Sequence, residues 1–321
     1  MELTRSIKTK VDSKWSALYS GDLPRSDWWQ NPYIIRHINQ RICGSPLNGA
    51  SAGLTIRARE MAGDRLPFTR GISVGSGNAY KEIELICQGV VESFVLFELS
   101  DIAIKHGKIL AKKRGVEDRI EYFNEDAFEK INKKECFDFV HWNNSLHHML
   151  DVEKAIEWSY RICEKGGMFY LDDFVGPTRF QWSDRTLQIA SAVRKALPEK
   201  YFFQPPKGGC FNLYLHTVKR LLGLKSPVHP KTLNRPNVNE MIHDDPSEAA
   251  DSERILESVK RWFPNAEIKL TGGVVYFLAL GGILHNFDES KDKRLLDLLL
   301  LIDDLCIELG ENQYATVLAI K

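Results

Sequence analysis

Two glycines, a carboxylate and a pair of adjacent histidines are the residues of this sequence whose types and spacing could do chemistry. Gly75 and Gly77 lie within Arg70-Gly71-Ile72-Ser73-Val74-Gly75-Ser76-Gly77-Asn78-Ala79-Tyr80-Lys81-Glu82, where an apolar run passes through tiny residues into a helical pattern. Glycine lets the backbone bend sharply and admits a ligand against the main chain. A helix starting there aims free N–H groups and its positive dipole end at whatever occupies the turn. Glu98 stands 21 residues after Gly77, at the end of the next apolar run. At that spacing a carboxylate can accept both hydroxyls of a ribose. Counted strictly, the turn is not a dinucleotide fingerprint, because Tyr80 occupies the third-glycine position. His147 and His148 are side chains that titrate near neutral pH and can take a proton from a reacting group.

Holding such groups in place takes a folded framework, and the chain is long enough to build one. Its 321 residues, 43% of them hydrophobic, can bury one large core or two modest ones. Lys+Arg and Asp+Glu both total 43, so the formal charge is zero and no long run of one sign appears. A nucleic-acid substrate is therefore disfavoured. Cys43, Cys87, Cys136, Cys163, Cys210 and Cys306 lie far apart with no C-x-x-C pair, so neither zinc nor any other metal, nor a disulfide framework, is expected. The first residues lack the apolar core of a signal peptide, and the apolar runs are too short to cross a bilayer. The expectation is a cytoplasmic protein without a membrane span.

From Arg70 onward strand and helix patterns alternate: strand 71–74, helix 79–89, strand 93–99, helix 101–114, strand 119–123, strand 137–142, helix 151–164 and strand 167–172. That rhythm predicts βαβ units and a parallel sheet with helices on both faces. Ligands then bind at the carboxyl ends of the strands where the chain order reverses, the first strand being the natural switch. Residues 1–65 read as a helical extension, with Trp15, Tyr19, Trp28, Trp29 and Tyr33 either packing it onto the main domain or, for Trp28 and Trp29, covering a pocket mouth. After Asp173 the rhythm breaks into a helix over 183–197 and a Pro- and Gly-rich stretch over 205–246. A loop that long usually serves as a lid or substrate wall. A helix over 247–262, a strand over 267–270, an apolar helix over 295–309 and a strand over 315–320 complete the chain. The leucines of the 295–309 helix suit a core or a subunit interface, so a homo-oligomer is expected.

Five motifs in order resemble the class I S-adenosylmethionine-dependent methyltransferases. Val74-Gly75-Ser76-Gly77-Asn78-Ala79 looks like their glycine motif and Phe97-Glu98-Leu99-Ser100 like the acidic end of their second strand. Asn124-Glu125-Asp126-Ala127 resembles the segment whose aspartate meets the adenine amino group. The run from Phe137 to His148 is similar to their fourth strand and its Leu-His-His turn, and Lys165-Gly166-Gly167 to the start of their fifth. The resemblance implies an α/β doubly wound, seven-stranded, mostly parallel sheet (Rossmann-like), with an antiparallel last strand at 315–320. It implies a division into an N-terminal extension or lid (1–65), an S-adenosylmethionine-binding core (66–175), an insertion forming the acceptor pocket (176–246) and a C-terminal part of the core (247–321).

The same resemblance implies S-adenosyl-L-methionine as cofactor, held by Gly75, Ser76, Gly77, Glu82, Glu98, Leu99, Asp126, Ala127 and Asn143. The family often has an acid where this chain has Ser73, so Glu82 or backbone carbonyls must take over its work at the methionine amine. His147 and His148 are the candidate catalytic bases, needed only where the acceptor must lose a proton. Trp28, Trp29, Asp172, Asp173, Arg179 and Trp182 are candidate acceptor contacts; Asp172 and Asp173 could also orient a histidine or equally face solvent, and Arg179 could equally make a structural salt bridge. The expected function is methyl transfer to an oxygen of a small-molecule or glycan-precursor acceptor. The alternatives are a non-catalytic binding scaffold and an NAD-dependent oxidoreductase. Tyr80 and the lack of a Tyr-x-x-x-Lys pair after the fourth strand argue against the oxidoreductase.

Overall fold

A computed structural model describes residues 28–202 and 229–321. Trp15, Tyr19 and the first part of the Pro- and Gly-rich stretch lie outside the described residues. Two helices come first, α1 (Pro32–Cys43) and α2 (Ala52–Ala62). The alternating part follows as β1 (Phe68–Val74), α3 (Tyr80–Cys87), β2 (Val91–Phe97), α4 (Asp101–Arg114), β3 (Ile120–Phe123), the short α5 (Ala127–Lys130), β4 (Phe137–Asn143), α6 (Val152–Ile162) and β5 (Cys163–Phe174). Then come α7 (Asp184–Ala196), α8 (Val238–Asp244), α9 (Ile255–Trp262), β6 (Glu267–Gly272), α10 (Lys293–Glu308) and β7 (Tyr314–Ile320).

The strands make one seven-stranded sheet in the order β3-β2-β1-β4-β5-β7-β6. β1 through β5 pair in parallel, and β7 runs antiparallel between β5 and β6. The chain steps outward from β1 to β3, then returns to the other side of β1 as β4, so the order reverses between β1 and β4. Adjacent loops there leave in opposite directions and open a crevice beyond the strand ends.

Period-two alternation decides which face each strand residue serves. Ile72, Val140, Trp142, Phe169 and Leu171 pack against α6 and α9, while Phe94, Phe139 and Tyr170 pack against α2 and α3 on the opposite face. A third apolar cluster, beyond the β7 side of the sheet, gathers α7, α10 and a π-helical turn over Val274–Ala279.

Local chemistry sets the element ends. Ser100 caps α4, its Oγ accepting the Ala103 N–H at 3.3 Å, and Gly115 ends the helix at φ 69°. The helix expected over 247–262 begins only at Ile255. Upstream, the Asp245 carboxylate accepts both the N–H (2.9 Å) and the Oγ–H (2.6 Å) of Ser247, and this local bonding outcompetes helix. The π-helical turn was not expected; there the buried Asp303 carboxylate accepts the N–H groups of Gly273 (2.9 Å) and Val275 (2.5 Å). Helix α8 also went unread inside the 205–246 stretch, its start capped by Asn237.

Candidate active site

The glycine turn lies between the ends of β1 and β2. Gly75 has φ 68°, and a Cβ on it would meet the Ser145 Cβ at 2.8 Å, so the turns after β1 and β4 touch at a point where only glycine fits. The Gly75 N–H donates to the Phe97 carbonyl at 2.8 Å, tying the turn to β2. Glu98 reaches back over the turn, its carboxylate accepting the N–H of Gly77 (2.7 Å) and of Ser100 (2.8 Å). Burial raises its pKa, although those two N–H groups pull the other way. At the end of β3, Asp126 caps α5 through one carboxylate oxygen, 2.8 Å from the Phe128 N–H.

Four buried polar atoms around these strand ends have no partner among the described residues: Ser76 Oγ, Asp126 Oδ2, Asn143 Nδ2 and Ser145 Oγ. Leaving a buried polar group unpaired costs about 1–3 kcal/mol. A ligand with hydroxyls and an exocyclic amine would satisfy them, so these residues fit an adenosyl group lying over the ends of β1, β3 and β4.

Beneath the turn, three fully buried side chains form a network. Glu82, in the first turn of α3, accepts from Ser73 Oγ at 2.7 Å and lies 3.0 Å from His141 Nδ1, with Ser73 and His141 3.2 Å apart. Burial alone would raise the Glu82 pKa, but the bond and charge of His141 and the Ser73 bond outweigh it and hold the carboxyl below its ordinary range. The carboxylate that β1 lacks at Ser73 thus arrives from the helix instead. Next to it, Asp172 accepts from Ser51 Oγ at 2.9 Å, and Lys81 bonds the same hydroxyl. Ser51, Thr55, Lys81, His141 and Tyr170 border a cavity of about 180 Å³ there, and His141 Nε2 has no partner among the described residues.

The histidine turn lies on the other sheet face. Asp173, fully buried, accepts the N–H groups of Ser145 (3.0 Å) and Leu146 (2.7 Å) with one oxygen and faces His147 Nδ1 at 2.5 Å with the other. His147 Nε2 lies 3.6 Å from Glu248, and His148 Nδ1 lies 3.2 Å from Ser247 Oγ. Burial would depress the His147 pKa, yet the charges and hydrogen bonds of Asp173 and Glu248 lift it to about 10. His148 falls to about 4, through burial and then the neighbouring imidazolium. Near neutral pH the pair therefore holds one proton, on His147, and the two rings titrate as a unit.

A family model described as a methyltransferase domain matches residues 72–171, from within β1 into β5. Residues 72–171 carry a methyltransferase domain. S-adenosylmethionine, the cofactor of such domains, carries the adenosyl group that the unpaired atoms suit. The 27-O-demethylrifamycin SV methyltransferase of Amycolatopsis mediterranei (strain S699) is 31% identical over 133 residues, which are 40% of this chain and 47% of that protein. The chain thus matches about half the length of that curated relative. Among solved structures, Haemonchus contortus phosphoethanolamine N-methyltransferase 2 in complex with S-adenosyl-L-methionine superposes with TM-score 0.48 and 14% identity, covering 91% of this chain and 57% of that one. The [4+2]-cyclase SpnF gives TM-score 0.46 and 14% identity, covering 91% of this chain and 94% of that one.

Within this methyltransferase domain, Gly75, Ser76, Gly77, Glu98, Leu99, Asp126, Ala127 and Asn143 come together at the strand ends, with Glu82 directly beneath. His147, His148 and Asp173 form one cluster, while Asp172 projects to the opposite sheet face. The guanidinium of Arg179 donates to the carbonyls of Glu248 (2.9 Å) and Pro246 (2.7 Å), pinning the turn that carries Glu248. Trp182 is buried and donates to Gln313 Oε1 at 3.0 Å. Trp28 packs on Tyr276 and Tyr314, whereas Trp29 is exposed. Sequence reasoning gave no role to Ser51, Lys81, His141, Ser145 and Glu248, although Lys81 lies inside the glycine motif and His141 and Ser145 inside the Phe137–His148 run.

Proposed function

We propose that this chain transfers a methyl group from S-adenosylmethionine to an oxygen of a small-molecule or glycan-precursor acceptor, in the cytoplasm. The observation that carries the reading is the set of unpaired buried atoms, Ser76 Oγ, Asp126 Oδ2, Asn143 Nδ2 and Ser145 Oγ, arrayed around the glycine turn and Glu98. Bound there, the cofactor supplies an already activated methyl on a sulfonium. The protein's task is to align groups and exclude water. Gly75 to Gly77 cradle the methionine part, Glu98 beside Leu99 takes the ribose, and Asp126 beside Ala127 takes the adenine amine. Glu82, braced by Ser73 and His141, supplies negative charge below the methionine amine.

The acceptor meets the histidine turn, with residues 176–202 and 229–246 and Trp28 or Trp29 as its outer wall and Arg179 and Trp182 supporting it, while Asp172, on the opposite sheet face, is left out of that contact. His147, oriented by Asp173, donates a hydrogen bond to the acceptor, and the neutral His148 receives its proton. Zero formal charge argues against nucleic acid as acceptor. No helix among the described residues is long and apolar enough to cross a membrane. Leu298, Leu301 and Leu305 on α10 and Leu309 at its C-cap leave a stripe of exposed leucine, the feature that favours a homo-oligomer.

Calorimetry with S-adenosylmethionine, its demethylated product and NAD tests the cofactor. The expected result is binding of the first two; binding of NAD alone sinks the reading. An acceptor screen read by release of demethylated product then separates enzyme from scaffold, and a chain that binds cofactor but never releases product across hydroxyl-bearing acceptors is a scaffold.

A further inference from the structure

We propose that His147, His148 and Glu248 form a binding site for one divalent transition-metal ion. One donor atom from each converges, all three lying within 4.8 Å of one another. His147 Nε2 and Glu248 are 3.6 Å apart, close to the spacing of two donors across a tetrahedral ion with bonds of about 2.0–2.2 Å. The His148 donor lies within 4.8 Å of both others, so a small side-chain rotation brings it into the same shell. Two imidazoles and one carboxylate suit zinc, cobalt, iron or manganese in the +2 state and leave coordination positions open.

Two further observations support a site built for a cation. His147 Nδ1 faces Asp173 at 2.5 Å, which fixes that ring with its Nε2 3.6 Å from Glu248, and His148 Nδ1 lies 3.2 Å from Ser247 Oγ. Metal-ligating histidines are typically braced in this way. The turn bearing Glu248 is itself held, through Arg179 to the Pro246 and Glu248 carbonyls and through the Ala250 N–H to the His147 carbonyl at 3.1 Å. Donors about a hundred residues apart in the chain, at 147 and 248, are thus clamped to one another by protein contacts alone.

The site's existence does not depend on the methyl-transfer reading; only its use does. If that reading holds, a bound ion takes the place of the His147 hydrogen bond and of His148 as proton acceptor, and its open positions favour an acceptor offering one or two oxygens.

The test uses the full chain stripped with a chelator, with Co2+ as probe, followed by equilibrium dialysis and visible absorption. The expected result is one equivalent of Co2+ per chain with d–d bands in the visible. Affinity should fall at least tenfold in His148→Ala and in Glu248→Ala, and 10- to 100-fold in Asp173→Asn, where the brace on His147 is lost. Melting curves identify any variant that fails to fold, and the wild-type spectrum stands without them. No stoichiometric Co2+ binding by the wild type overturns the proposal, as does equal binding by a folded Glu248→Ala. Calorimetry with S-adenosylmethionine on the same samples keeps the two readings apart. Cobalt binding without cofactor binding defeats the methyl-transfer reading alone, and cofactor binding without cobalt defeats the metal site alone.

Discussion

At the residue scale, Glu98 and Gly75 do different work within one turn. Glu98 already holds the Gly77 and Ser100 N–H groups, so its carboxylate is preset over the turn before any ligand arrives. Hydrogen bonds to a charged group contribute about 1.5–3 kcal/mol each. Glu98→Ala should therefore weaken S-adenosylmethionine binding roughly 10- to 100-fold in calorimetry, and unchanged affinity would remove the ribose assignment. Gly75→Ala combines a positive φ with a methyl 2.8 Å from Ser145. It should lower unfolding free energy by about 1–3 kcal/mol in urea titration and weaken cofactor binding as well. The glycines and Glu98 were legible in the sequence because both sit on one βαβ unit, where the spacing of contacts is local. Glu82 was legible as a carboxylate near the motif, but its brace was not, because His141 lies 59 residues away and meets it only through strand pairing.

At the scale of elements, the turn over residues 245–251 replaces the first turns of an expected helix and thereby delivers Ser247 and Glu248 to the histidines. Its anchor is Arg179, which spends its guanidinium on carbonyl oxygens rather than on a carboxylate. Arg179→Ala leaves those carbonyls short of a partner. The expected outcome is about 1–3 kcal/mol of lost stability and a marked fall in methyl-transfer rate, with the S-adenosylmethionine Kd unchanged, since the glycine turn is on another loop. A Kd that moves with the rate would show that the 245–251 turn also supports the cofactor side. The strands and helices of the 70–174 region could be read because apolar period and capping residues agree there. The 245–251 turn could not, because Ser247 and Ala249 are compatible with helix, and the Asp245 side chain together with the distant Arg179 tips the balance.

At the scale of the whole molecule, the two histidines tie stability to pH in opposite directions. His147 rises from its ordinary 6.5 to about 10, so the stability it contributes is fully present below 6.5 and is lost as pH climbs through 10. His148 falls to about 4, so the unfolded chain takes up its proton first and stability drops as pH falls from 6.5 toward 4. Urea midpoints should peak near pH 6.5, and His147→Gln should flatten the alkaline limb; an unchanged alkaline limb in that variant would remove the assignment. The sequence by itself determined the sheet, the place where its order reverses and the cofactor turn, because these follow from local periodicity and from residues close together in the chain. Tertiary structure alone decided that Asp172 and Asp173 serve opposite faces, that Arg179 and Trp182 bond within the protein, and that Glu248 meets His147. Those outcomes depend on which strands and loops are brought side by side, and chain separations of dozens of residues leave no local pattern that announces them.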